Sequence, residues 1–91
     1  MRRFVRGRID YSFFMETVNA KLVSLGEKIR ARRETLQLSQ ESLADRCNFD
    51  RTYISLLERG ERNPSFTNLC RVAAALKTTP SELLKGISYG A

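Results

Sequence analysis

Apolar residues recur at helical spacing along nearly the whole chain, without the sustained alternation of a half-buried strand or the roughly 20–50-residue repeat of a solenoid. The pattern predicts an all-α protein. Ser24-Leu25-Gly26-Glu27 fits a capping box opening a helix over about 24–36 that buries Leu25 and Ile29. The same spacing continues upstream through Leu22 and Val18, and a helix that includes them makes the box coincidental. Ser39 is placed to cap a short second helix with Leu43, Ala44 and Cys47 on one face, and Asn48 follows where the chain must reverse. Asp50 caps a third, from 51 to about 59, ended by Gly60. Pro64-Ser65 restarts the chain into a fourth helix with Phe66, Leu69, Cys70, Ala73 and Leu76 along one side. Thr79-Pro80-Ser81-Glu82 combines a cap, a proline at the first helical position and a glutamate at the third, opening a fifth helix that carries Leu83, Leu84 and Ile87.

Composition narrows the chemistry. With 91 residues, 42% of them hydrophobic, the chain is sized for a single domain whose small core self-association would supplement. Histidine is absent, which removes histidine metal sites, Ser-His-Asp triads and a histidine base, and no other nucleophile–base pair is visible. Cys47 and Cys70 form no CxxC pair and read as small buried apolar groups in a reducing interior. No cofactor or metal is expected, and an enzyme is not. No apolar run reaches the roughly 18 residues of a membrane span, and the stretch after the N-terminal arginines is too short and interrupted for a signal-peptide core, so the expected location is the cytoplasm.

The net charge of +6 points toward an acidic partner, but its distribution matters more than its size. Arg2, Arg3, Arg6 and Arg8 lie in a basic arm assigned to residues 1–20, ahead of a domain over 21–87 and a tail over 88–91. Residues 31–62 hold six basic and six acidic side chains and net to zero. Placement within the third helix is the stronger signal. With Ile54 set at 0° and Leu57 at about 300°, Thr52, Ser55 and Arg59 fall at about 100–160°, flanked by Arg51 and Leu56. A short helix presenting arginine and hydroxyls on its outer face has the donors and acceptors for base edges in a major groove, and its N-terminus favours phosphate.

These residues belong to an extended pattern. Ile29-Arg30 and Arg33, Leu38-Ser39-Gln40-Glu41-x-Leu43-Ala44, Tyr53-Ile54-Ser55-x-Leu57-Glu58-Arg59-Gly60, Arg62-Asn63-Pro64-Ser65, Ala73-x-Ala75-Leu76 and Glu82-Leu83-Leu84 follow in order. The run resembles the lambda-repressor-like, Cro/C1-type helix-turn-helix family over about two-thirds of the chain. The resemblance implies a compact five-helix domain, with 40–47 as the supporting helix and 51–58 as the recognition helix. It departs at Asn48, where glycine is usual in the turn, and at Lys77-Thr78, where a glycine commonly ends the fourth helix.

The resemblance implies roles residue by residue. Arg51 and Thr52 match base-reading positions, with Ser55 one turn on. Gln40, Arg62 and Asn63 match phosphate-binding positions, and Arg59 is grouped with them. Tyr53 is open between packing and a hydroxyl at phosphate. Arg33 and Glu58 match a structural ion pair joining the first helix to the third. Phe66, Leu83, Leu84 and Ile87 are candidates for a homodimer contact, with plain core as the alternative. Double-stranded DNA and a second copy are thus the expected partners, in transcriptional regulation from a palindromic or pseudopalindromic operator. Small size and the Asp50–Ser55 string look most like restriction-modification controller proteins, with phage-type repressors and DNA-binding antitoxins as competitors. A protein-interaction module of the same fold is the different-class alternative, resting on an exposed Leu56.

Overall fold

The computed structural model describes residues 4–5, 8–9 and 11–87. The helices run in the order α1 (Tyr11–Thr35), α2 (Gln40–Cys47), α3 (Arg51–Glu58), α4 (Phe66–Ala75) and α5 (Pro80–Leu84). Ahead of them, β1 (Phe4–Val5) and β2 (Arg8–Ile9) form a two-residue antiparallel ladder, pairing Phe4 with Ile9 and Val5 with Arg8. The domain is all-α, as the periodicity predicts, with this ladder added. Arg2, Arg3, Arg6 and the 88–91 tail lie outside the described residues.

The helix starts follow local side-chain chemistry at three of the predicted places. Ser39, Ser65 and Thr79 each hold extended backbone and accept a hydrogen bond from the amide three residues on, at Ser42, Asn68 and Glu82. A cap of this kind contributes about 1 kcal/mol. Two other starts differ from expectation. Ser24 lies inside the 25-residue α1, where its backbone continues the helix, so the box is coincidental and residues 11–20 belong to α1 rather than to a separate arm. Asp50 occupies the cap position of α3 but its side chain makes no capping bond.

Four of the five helix ends share one solution. Leu38, Phe49, Glu61 and Thr78 donate their amides to the carbonyls five residues back, at Arg33, Ala44, Leu56 and Ala73, over 2.9–3.1 Å. Each closure passes through a left-handed residue: Gln37 (φ 59°), Asn48 (φ 61°), Gly60 (φ 76°) and Lys77 (φ 57°). This is the Schellman geometry, in which glycine is the usual choice because a Cβ is strained there. Lys77 therefore ends α4 in the conformation that glycine would take, which settles that boundary.

Leu25, Ile29, Leu43, Ala44, Cys47, Ile54, Leu57, Leu69, Val72, Ala73, Leu76 and Leu83 form the core, with contributions from all five helices. Their burial clamps α3 by its inner stripe, Ile54 and Leu57, against α1 and α2. The α1–α3 contact is made backbone to backbone. A Cβ on Gly26 would lie 2.5 Å from the carbonyl oxygens of both Leu57 and Glu58, and one on Gly60 would lie 2.7 Å from Val23 Cα. Two glycines on opposing elements allow this approach, and it fixes the C-terminal end of α3.

Candidate nucleic-acid interface

Because α2 and α3 are two turns each and joined by Asn48, Phe49 and Asp50, the core residues of α3 dictate what its other face presents. Ile54, Leu57 and Glu58 are buried, Arg51, Thr52 and Arg59 are exposed, and Ser55 is half-buried. Leu56 is also half-buried. The exposed Leu56 on which a protein-interaction role rested is therefore not found, because the residue lies at the margin of the packed stripe. Arg59 donates from Nη1 to Ser55 Oγ at 2.9 Å and pairs from Nη2 with Glu61 at 3.2 Å. The Ser55 hydroxyl keeps its own hydrogen to donate, and the guanidinium retains further donors.

Beneath this face, the Arg33 guanidinium meets the Glu58 carboxylate side on, Nε to Oε2 at 2.6 Å and Nη2 to Oε1 at 3.0 Å, and both side chains are nearly buried. Arg33 Nη1 also donates to the Leu38 carbonyl at 2.8 Å. The hydrogen bond to Glu58 holds Arg33 above its ordinary pKa, outweighing the opposite effect of burial. Gln40 completes the group by donating from Nε2 to Glu58 Oε1 at 3.0 Å. An amide nitrogen carries two hydrogens. One is thus committed to the protein, at the start of α2.

Tyr53 packs, with its hydroxyl bonded inside the protein. Its ring packs 4.8 Å from that of Phe49, centroid to centroid, while its hydroxyl accepts from Asn68 Nδ2 at 3.1 Å and keeps its own proton to donate. Arg62, exposed in the loop after α3, lies with Cζ 5.8 Å from the Tyr53 ring centroid, and Asn63 beside it is exposed. Gln40, Arg51, Thr52, Ser55, Arg59, Arg62 and Asn63 thus all lie on α2, α3 or the loop following α3.

Residues 29–83 match the helix-turn-helix family. The chain belongs to this family. It is 44% identical over 66 residues to the control protein C.MunI of a Mycoplasma species, covering 71% of this chain and 89% of that protein. The restriction-modification controller protein C.AhdI from Aeromonas hydrophila superposes with a TM-score of 0.69 at 44% identity, covering 70% of this chain and 97% of that one. The phage P22 c2 repressor, solved in complex with a synthetic operator, superposes with a TM-score of 0.64 at 40% identity over 68% of this chain and 94% of the crystallised one.

Within this helix-turn-helix domain the dimer candidates separate. Phe66 is 72% and Leu84 43% exposed, Ile87 is half-buried against the core, and Leu83 is 3% exposed. Leu83 is a core residue and leaves the list of contact candidates, since of two adjacent leucines on a single-turn helix only one can face inward. Val23, 43% exposed on α1, was not anticipated. Sequence reasoning also missed two arginines that serve as caps. Arg32 donates from Nε to the Leu76 carbonyl and from Nη2 to the Lys77 carbonyl, both at 2.9 Å, closing the end of α4. Arg71 donates from Nη2 to the Cys47 carbonyl at 2.6 Å at the end of α2. Their partners lie 24 to 45 positions away, so no local pattern marks them. Among the described residues, no group of histidine, cysteine, aspartate and glutamate is placed to hold a metal, and no helix is long and apolar enough to cross a membrane.

Proposed function

We propose that this DNA-binding transcriptional regulator works in the cytoplasm as a restriction-modification controller, without catalysis of its own, with α3 of each protomer in a major groove of the operator. The single observation that carries the reading is the division of α3: Ile54, Leu57 and Glu58 are locked inward while Arg51 and Thr52 project from its N-terminal turn. Arg51 suits the paired acceptors of guanine, and the Thr52 and Ser55 hydroxyls suit any base edge. Gln40, Tyr53, Arg59, Arg62 and Asn63 offer donors to the flanking phosphates, which position the domain without reading sequence. One recognition helix reads only a few base pairs, so two protomers about 34 Å apart read the halves of a palindrome. Phe66, Leu84 and Ile87 supply apolar surface for that pairing.

Selection from random duplexes with the purified protein tests the reading. The expected result is a palindromic or pseudopalindromic consensus with fixed half-site spacing. Recovery of no enriched sequence, or of a site contacted by one protomer alone, refutes it.

A further inference from the structure

Three of the four short helices start under a side-chain cap, and the exception is α3, whose Asp50 makes no capping bond. That end is the one that presents Arg51 and Thr52. Around that end packs a stack of four side chains, which starts from Arg71 on α4 and runs through Phe49 and Tyr53 to Arg62. The Arg71 guanidinium lies with Cζ 4.1 Å from the Phe49 ring centroid, the Phe49 and Tyr53 centroids are 4.8 Å apart at 59°, and Arg62 lies 5.8 Å from the Tyr53 centroid. Phe49 is in the turn between α2 and α3, and Tyr53 is one turn into α3. The same guanidinium grips the turn from its other side, donating to the carbonyls of Cys47 at 2.6 Å and Asn48 at 3.3 Å. Asn68, also on α4, holds the Tyr53 hydroxyl.

We propose that Arg71 is a positioning residue for operator recognition: from α4 it sets, through Phe49 and Tyr53, where the N-terminal turn of α3 places Arg51 and Thr52. The inference rests on the DNA-binding reading above but names a residue outside the proposed contact set. Its chemistry requires arginine. A planar guanidinium can stack on the Phe49 ring while its edge donates to the carbonyls, whereas a lysine keeps the charge and loses that combination. The turn it braces runs through Asn48 in the left-handed conformation.

The test compares Arg71→Lys, Arg71→Ala and Phe49→Leu with Arg32→Lys, which disturbs the similar arginine cap at the end of α4, remote from Arg51. Binding is measured to the selected operator and to random duplex at a temperature where every variant is folded. Amide exchange at residues 51–54 is followed in the absence of DNA. Arg71→Lys is expected to weaken operator binding about tenfold with random-duplex binding unchanged, and to speed exchange at 51–54. Phe49→Leu should do the same, and adding Arg71→Lys to it should produce no further loss. Arg32→Lys should lower stability with selectivity intact. Retained selectivity in Arg71→Lys, an equal loss on both duplexes, or exchange at 51–54 no faster than in Arg32→Lys overturns the proposal. Should Arg71→Ala not fold, Arg71→Lys and Phe49→Leu still decide it. If the wild-type protein selects no sequence, the DNA-binding reading falls, and the positioning claim is judged on exchange alone.

Discussion

Replacing Glu58 with glutamine removes one charge and almost no volume from the group that joins α1, α2 and α3. The carboxylate accepts from Arg33 Nε at 2.6 Å, Arg33 Nη2 at 3.0 Å and Gln40 Nε2 at 3.0 Å. An amide has one oxygen, so its nitrogen must face a donor on one side. Directing the oxygen toward Arg33 Nη2 and Gln40 sacrifices the shortest bond, and the reverse sacrifices the other two. Either way the guanidinium is left without a counterion in a site where the two side chains are 11% and 3% exposed. Breaking a buried pair from one side costs about 3–5 kcal/mol. The lower end applies here, because Arg33 keeps its bond to the Leu38 carbonyl. At about 4–8 °C per kcal/mol for a domain of this size, Tm should fall by about 12–24 °C. Urea unfolding followed by circular dichroism at 222 nm measures the loss, with Arg30→Ala as a control at an ion pair whose side chains are 64% and 55% exposed. Exposed pairs contribute about 0.2–1 kcal/mol. If Glu58→Gln costs no more than Arg30→Ala, the pair is not the lock described. The double variant Arg33→Met/Glu58→Leu should recover most of the stability, since two apolar side chains leave no uncompensated charge.

Four further outcomes are expected. Gly26→Ala should cost about 3 kcal/mol in the same unfolding assay, because the new Cβ meets backbone carbonyls that cannot move aside, and an unchanged urea midpoint would contradict the contact. Lys77→Gly should raise stability by about 0.5 kcal/mol, the left-handed strain relieved less the extra freedom of glycine in the unfolded chain, and a loss would show that the position is not strained. Arg51→Ala should weaken operator binding by about 1–3 kcal/mol and relax preference at one base pair per half-site, while Arg62→Ala weakens all duplexes alike; equal loss on operator and random duplex for Arg51→Ala would remove its reading role. Burial pushes the Cys47 thiol above its ordinary pKa, against a smaller opposing pull from Arg71, so iodoacetamide should modify half-buried Cys70 first and reach Cys47 only as fast as the domain opens. The same shift means that Cys47 contributes stability below the unfolded thiol range and loses it as pH rises through the folded value.

Most helix boundaries were legible because their determinants are local. Ser39, Ser65 and Thr79 cap amides only three residues away, so the motif and its structure are nearly the same object. Ser24-x-x-Glu27 carries the same motif inside α1, and only the backbone upstream decides whether it acts as a cap. Gly26 reads locally as a weak point in a helix, and its reason is the end of α3, more than thirty positions on. The outward face of α3 followed from its period, whereas the Arg33–Glu58 pair was accessible only through resemblance, since nothing near Arg33 specifies Glu58. Net charge was the poorest guide: Arg32, Arg33 and Arg71 are spent on helix ends and a buried carboxylate, which counting cannot separate from arginines that face a ligand.

The backbone contact of Gly26 and Gly60 with the opposing helix also bears on how operators can vary. With α1 seated directly on the C-terminal end of α3, that end of the helix has no room to move closer to the body of its own protomer. Each half-site is therefore met by a helix anchored at its C-terminal end. Any tolerance for operators whose half-sites differ in spacing or relative twist must come from adjustment where two protomers meet, or from bending of the DNA between them.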